Sequence, residues 1–137
     1  MPYIIENDPF TQLRRKPVPR ILFVDDDATI VDCFADLFRA LGFTVETAGD
    51  ARQAIERFEA AGDFSAVVID RGLPLMSGIE LAALLREKDP ALRIVLTSGH
   101  LWDTLPDRER QAVARLELRF LAKPFSSEEL LKLLSFS

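Results

Sequence analysis

Three runs in this chain are apolar without a break and too short for buried helices: Ile21-Leu22-Phe23-Val24, Ala66-Val67-Val68-Ile69 and Ile94-Val95-Leu96. A strand with one wet face alternates apolar and polar residues. These runs therefore predict strands covered on both faces, as in a parallel sheet with helices on either side. The segments between them read as the helices that parallel strands need as crossovers. Ile30, Phe34, Leu37 and Leu41 recur at spacings of four, three and four before Gly42, which predicts a first helix with those residues on its inner face.

Residues 43–47 read as a second strand and residues 51–61 as a helix closed by Gly62. After a Gly72-Leu73-Pro74 loop, Ser77 caps a helix carrying Ile79, Leu81, Leu84 and Leu85, which Pro90 ends. A weaker helix over 107–116 leads to a fifth strand at Phe120-Leu121-Ala122. Ser126 and Glu129 then form a capping box ahead of Leu130, Leu131, Leu133 and Leu134. Five strand-helix units make a doubly wound α/β domain.

Only one such domain is expected, because 137 residues with 48% hydrophobic content build a single core of ordinary size. It is assigned to residues 20–137. Residues 1–19, with Pro9, Pro17, Pro19 and the basic cluster Arg14, Arg15, Lys16, read as a solvated arm or linker. A net charge of -5 argues against direct nucleic-acid binding. The lone Cys33 and the lack of a long apolar run argue for a reducing, cytoplasmic setting away from the membrane.

In doubly wound sheets ligands sit beyond the carboxyl ends of the strands. Asp25-Asp26-Asp27 close strand one, Asp70 closes strand three, Thr97 and Ser98 close strand four, and Lys123-Pro124 follow strand five. Crowded carboxylates repel one another unless a cation intervenes, and an all-oxygen set of few ligands suits Mg2+. Each acid alone could simply cap the following helix, Asp27 above all. Caps do not account for acids on two strands with a hydroxyl and a lysine on two others.

From residue 20 to 135 the sequence resembles the response-regulator receiver family. The resemblance rests on Ile21-Leu22-Phe23-Val24-Asp25-Asp26-Asp27, on Val67-Val68-Ile69-Asp70 with Leu73-Pro74 and Gly78, on Ile94-Val95-Leu96-Thr97-Ser98-Gly99, and on Phe120-Leu121-Ala122-Lys123-Pro124-Phe125. It implies a flavodoxin-like fold, a five-stranded parallel sheet of order 2-1-3-4-5. It also implies that Asp70 accepts a phosphoryl group from a histidine kinase or a histidine phosphotransfer protein. Asp26 and Asp70 would hold Mg2+ directly, Asp25 mainly through metal-bound water, and Gly72 through its backbone carbonyl. Lys123 would stabilise the phosphoryl group, followed by a cis bond to Pro124. Thr97 and Phe120 would form the switch, Phe120 by packing alone because it lacks a phenolic hydroxyl.

The same resemblance makes the chain a phosphoacceptor that assists its own phosphorylation and dephosphorylation rather than an enzyme. It belongs either to a stand-alone regulator or to a hybrid kinase. No output segment follows the last helix, so signalling is expected through the face of helix four, strand five and helix five. Gly72 and Gly99, two residues past Asp70 and Thr97, have no side chain to orient a hydrolytic water. Phosphoryl lifetime is therefore expected to depend on exposure and on Asp27 or Arg71. The loop after Thr97 departs from the family pattern: Leu101 and Trp102 are expected to pack back over the sheet, and His100, the sole histidine, to face solvent.

Three rivals remain. Asp25-x-Asp27-x-Thr29 matches the signature of haloacid-dehalogenase-like phosphatases, but that family also needs a late acidic pair for magnesium, and only Glu128 and Glu129 follow Lys123. A docking module that is never phosphorylated, or a flavodoxin-like cofactor binder, would leave the acidic residues without a task.

Overall fold

The computed structural model describes residues 18–134; the Arg14, Arg15, Lys16 cluster and nearly all of the expected arm lie outside the described residues. Strands β1 (Arg20–Val24), β2 (Thr44–Ala48), β3 (Ala66–Asp70), β4 (Arg93–Ser98) and β5 (Arg119–Ala122) alternate with helices α1 (Ala28–Ala40), α2 (Ala51–Ala61), α3 (Gly78–Lys88), α4 (Asp107–Arg115) and α5 (Ser127–Leu133). The strands form one parallel sheet of order β2-β1-β3-β4-β5, as the family resemblance implies. Among the described residues no helix is long and apolar enough to cross a membrane.

The pleat explains why the central strands are apolar throughout. Leu22, Val24, Val67, Ile69, Ile94 and Leu96 pack on the side of α2, α3 and α4. Their neighbours Ile21, Phe23, Ala66, Val68 and Val95 pack on the side of α1 and α5. Each run thus feeds two cores. On the second side Phe23, Phe34 and Phe38 form an aromatic cluster, with Phe23 edge-on to Phe38 at 5.5 Å.

The helix ends follow their caps. Asp27 accepts from the amides of Thr29 and Ile30, Asp50 from Gln53, and Ser77 from Glu80. The Ser126–Glu129 capping box forms in both directions. Gly62 ends α2 in the left-handed conformation, φ 74°.

Two expectations need correction. Strand β2 starts one residue later than expected. The buried face of α1 is Val31, Ala35 and Phe38, whereas Leu37 and Leu41 are exposed and Ile30 and Phe34 only half-buried. Both sets have helical spacing, and periodicity cannot choose between faces one position apart when each carries large apolar residues.

Arg86 is a structural feature that its charge conceals. Its guanidinium donates to the carbonyls of Leu116, Pro90 and Leu92, tying the end of α3 to the entry of β4 and the end of α4. Arg86→Ala leaves these carbonyls unbonded and is expected to destabilise the domain by about 1.5 kcal/mol. Chemical denaturation checks this, and an unchanged midpoint would contradict it.

Candidate functional site

The alternation that divides the core also sorts the rim. Asp70 continues the series Ala66, Val68, and Thr97 continues Val95, so both lean to the α1/α5 side of the sheet; they are register partners across β3 and β4. Asp25, one residue past β1, and Lys123, one past β5, have the same parity. Arg71, Ser98 and Phe120 have the opposite parity and belong to the α3/α4 side.

The first set converges, and Asp26 joins it from the loop after β1. One carboxylate oxygen from each of Asp25, Asp26 and Asp70 lies within 4.8 Å of the others. Lys123 Nζ donates to Asp25 Oδ2 at 2.8 Å and lies 3.2 Å from Asp70 Oδ1. The other oxygen of Asp25 accepts from the Asp27 amide at 2.9 Å. Asp25 and Asp70 are buried, 9% and 8% exposed, and Asp26 is open to solvent. The Lys123-Pro124 bond is cis, and the Lys123 amide donates to Ser98 O at 2.7 Å.

Burial, reinforced by the charge of Asp25, raises the Asp70 pKa above its ordinary value, despite Lys123 and a hydrogen bond to the Gly72 backbone that pull it down. Burial also works against the Lys123 ammonium, but Asp25 and Asp70 outweigh it and hold the lysine charged, its pKa raised. Two buried acids that share a single lysine still repel each other. Three converging oxygen donors, one of them solvent-facing, suit a hard divalent cation that retains water.

Thr97 lies beside this cluster, buried, with its hydroxyl 3.5 Å from the Ile69 carbonyl. Phe120 is half-buried on the opposite side of the sheet and packs against the α2/α3/α4 core. Trp102 meets it edge-on at 5.2 Å. The loop after Thr97 therefore packs partly as expected: Trp102 covers Phe120, but Leu101 stays 66% exposed. Asp27 is placed as the N-cap of α1. Gly99 is exposed in open space, and Gly72 approaches Asp70 with no side chain between.

Several residues had no signal in the sequence. Glu109 on α4 binds the Arg71 guanidinium with both oxygens, at 2.6 and 2.9 Å, and His100 Nδ1 lies 3.4 Å from the same group. Arg110 donates to the carbonyls of Trp102, Asp103 and Leu105, clamping the loop onto α4. Both residues look like ordinary surface charges in a polar helix, and nothing in the pattern marks their partners.

A doubly wound sheet whose carboxyl rim holds three carboxylates, a buried hydroxyl and a lysine defines the receiver class of phosphorelay proteins. The family model for the response regulator receiver domain matches residues 21–135, and the chain belongs to that family. It is 34% identical over 125 residues to the alkaline phosphatase synthesis transcriptional regulatory protein SphR of Synechococcus elongatus, covering 83% of this chain and 46% of SphR. It is 32% identical over 114 residues to the transcriptional regulatory protein BasR of Escherichia coli, covering 81% of this chain and 48% of BasR. The chain thus spans about half the length of these curated relatives. Among solved structures it resembles the response regulator protein TrrA of Thermotoga maritima in complex with Mg2+-BeF, with TM-score 0.70 and 25% identity over 86% of this chain and all of that one (100%).

Proposed function

We propose that this receiver accepts a phosphoryl group on Asp70 from the phosphohistidine of a kinase or phosphotransfer protein, with Mg2+ bound, and passes the signal on through its α4–β5–α5 face. The observation that carries this reading is the convergence of three carboxylates on one lysine ammonium at the rim. In the transfer, an Asp70 oxygen bonds to phosphorus as the donor's P–N bond breaks. The imidazole nitrogen leaves with the electron pair and takes up a proton, and Asp70 becomes an acyl phosphate.

Asp26 and Asp70 would hold the metal directly, Asp25 mainly through water, and Gly72 by its carbonyl. Bound there, Mg2+ supplies positive charge to the transferring phosphoryl oxygens. Lys123, charged and held by Asp25 beside Asp70, would stabilise the same oxygens. Thr97 then turns its hydroxyl to the new phosphoryl group and carries its loop with it, and Phe120 follows by packing. A cytoplasmic setting belongs to the same proposal.

The phosphatase alternative gains no support from the local geometry. Asp27, its acid/base, is engaged as a helix cap, and Glu129 is engaged in the capping box at α5.

Beryllofluoride, which mimics an aspartyl phosphate, tests the site without a partner. Calorimetry is expected to record one Mg2+-dependent binding event in the wild type and none in Asp70→Asn. Equal binding in the two proteins, or none in the wild type, would sink the reading.

A further inference from the structure

The α4 side of the sheet contains an ion pair for which phosphoryl transfer itself has no use. Arg71 directly follows the phosphoacceptor, and the pleat turns its side chain away from Asp70 towards α4. There Glu109, in the first turn of α4, grips the guanidinium with both carboxylate oxygens at 2.6 and 2.9 Å. Both side chains are largely shielded, 24% and 19% exposed. A two-pronged contact of this kind is stronger and more exacting than a surface ion pair. Its hydrogen bonding lowers the Glu109 pKa, so the carboxylate stays charged.

The two ends of the contact belong to different elements. Arg71 is fixed to the sheet: its amide donates to Thr97 O at 2.8 Å and its carbonyl accepts from Gly78 at 2.9 Å. Glu109 belongs to α4, which Arg110 locks to the loop through Trp102, Asp103 and Leu105, while Trp102 covers Phe120. A Thr97 displacement that drags its loop therefore drags α4 as well. Among the described residues the two-pronged Arg71–Glu109 contact, with His100 beside the same guanidinium, ties that body back to the end of β3.

We propose that the Arg71–Glu109 pair is a strap that holds α4 in its resting position and opposes the phosphoryl-driven switch. The proposal rests on the reading of Asp70 as phosphoacceptor and Thr97 as the moving hydroxyl. Glu109 is a positioning residue in this scheme, acting only through Arg71. A ligand that favours the switched state must break the strap, and so binds more weakly than it would without it.

Beryllofluoride with Mg2+ is the probe. Glu109→Gln is expected to bind it about five- to tenfold more tightly than the wild type. In an Arg71→Gln background the same Glu109→Gln change is expected to have no effect, because the strap is already cut. Arg71→Lys keeps the charge but loses the fork, and should fall between. Hydrogen exchange on the wild type gives a check that needs no variant: amides of the first turn of α4 are expected to lose protection when beryllofluoride binds. Unchanged affinity in Glu109→Gln, tightening that persists without Arg71, or unaltered α4 protection would each overturn the strap while leaving the phosphoacceptor intact. Failure of the wild type to bind the probe at all would overturn both.

Discussion

Incubation with a small acyl phosphate and Mg2+ is expected to add one phosphoryl group to the wild-type chain, read by intact mass, and none to Asp70→Asn. On the proposed reading Asp70 is the reacting acid of the three. Both oxygens of Asp25 are engaged, one by the Asp27 amide and one by Lys123. Asp26 is exposed, and the ion pairs of Lys123 are with Asp25 and Asp70. Asp70 is buried, is made more basic by burial and by the charge of Asp25, and faces a charged lysine. Lys123→Ala is expected to slow the gain by about two orders of magnitude, the usual loss when one preorganised charge donor is removed. Chelation of Mg2+ should stop it.

Misfolding does not explain the result expected for Asp70→Asn. A carboxyl whose folded pKa is raised binds its proton more tightly in the folded than in the unfolded chain. Stability therefore falls as pH rises from the ordinary value of 3.8 through the raised one, and the penalty persists at neutral pH. An amide at position 70 removes that penalty, so metal-free Asp70→Asn should melt no lower than the wild type. A phosphate-sized gain that persists in this folded variant would refute the assignment.

The strands and the rim were legible in the sequence because each rests on a strong local pattern, whereas the strand order came only from the family resemblance. Apolar runs of three or four residues identified the doubly covered strands, and chemically loaded residues immediately after them identified the rim. The period of two then predetermines that Asp25, Asp70, Thr97 and Lys123 share a side, given strands that end in register. Patterns with two solutions were less legible. In α1, Ile30-Phe34-Leu37 and Val31-Ala35-Phe38 are both helical stripes, and only packing against Phe23 and Val45 selects the second. Long-range side-chain pairing had no local signature at all. Arg71–Glu109 joins residues 38 apart, Arg86 reaches carbonyls on three segments, and Trp102–Phe120 joins a loop to a strand.

Gly78→Ala is expected to cost about 3 kcal/mol, at the upper end for overpacking, and to lower the melting temperature by about 10 °C. The sequence offers Gly78 only as part of a motif, and the structure supplies the reason for it. A Cβ there would lie 2.3 Å from the Asp70 carbonyl oxygen and 2.8 Å from Arg71 Cα. Both neighbours are backbone, so no side chain can swing aside, and the Gly78 amide bonds the Arg71 carbonyl at 2.9 Å, which prevents an easy retreat of α3. Relief must come from shifting α3 or the end of β3, and the latter carries Asp70. Phosphoryl gain should therefore slow even in the fraction that remains folded. Gly99→Ala is the matched control, because a Cβ at that position meets nothing within 4 Å. It should change stability by less than about 0.5 kcal/mol. If thermal melting finds the two alanine variants alike, the close approach of α3 to the phosphoacceptor strand is not what Gly78 provides. If only Gly78→Ala loses both stability and phosphorylation rate, the contact that seats the helix also sets the position of the reacting carboxylate.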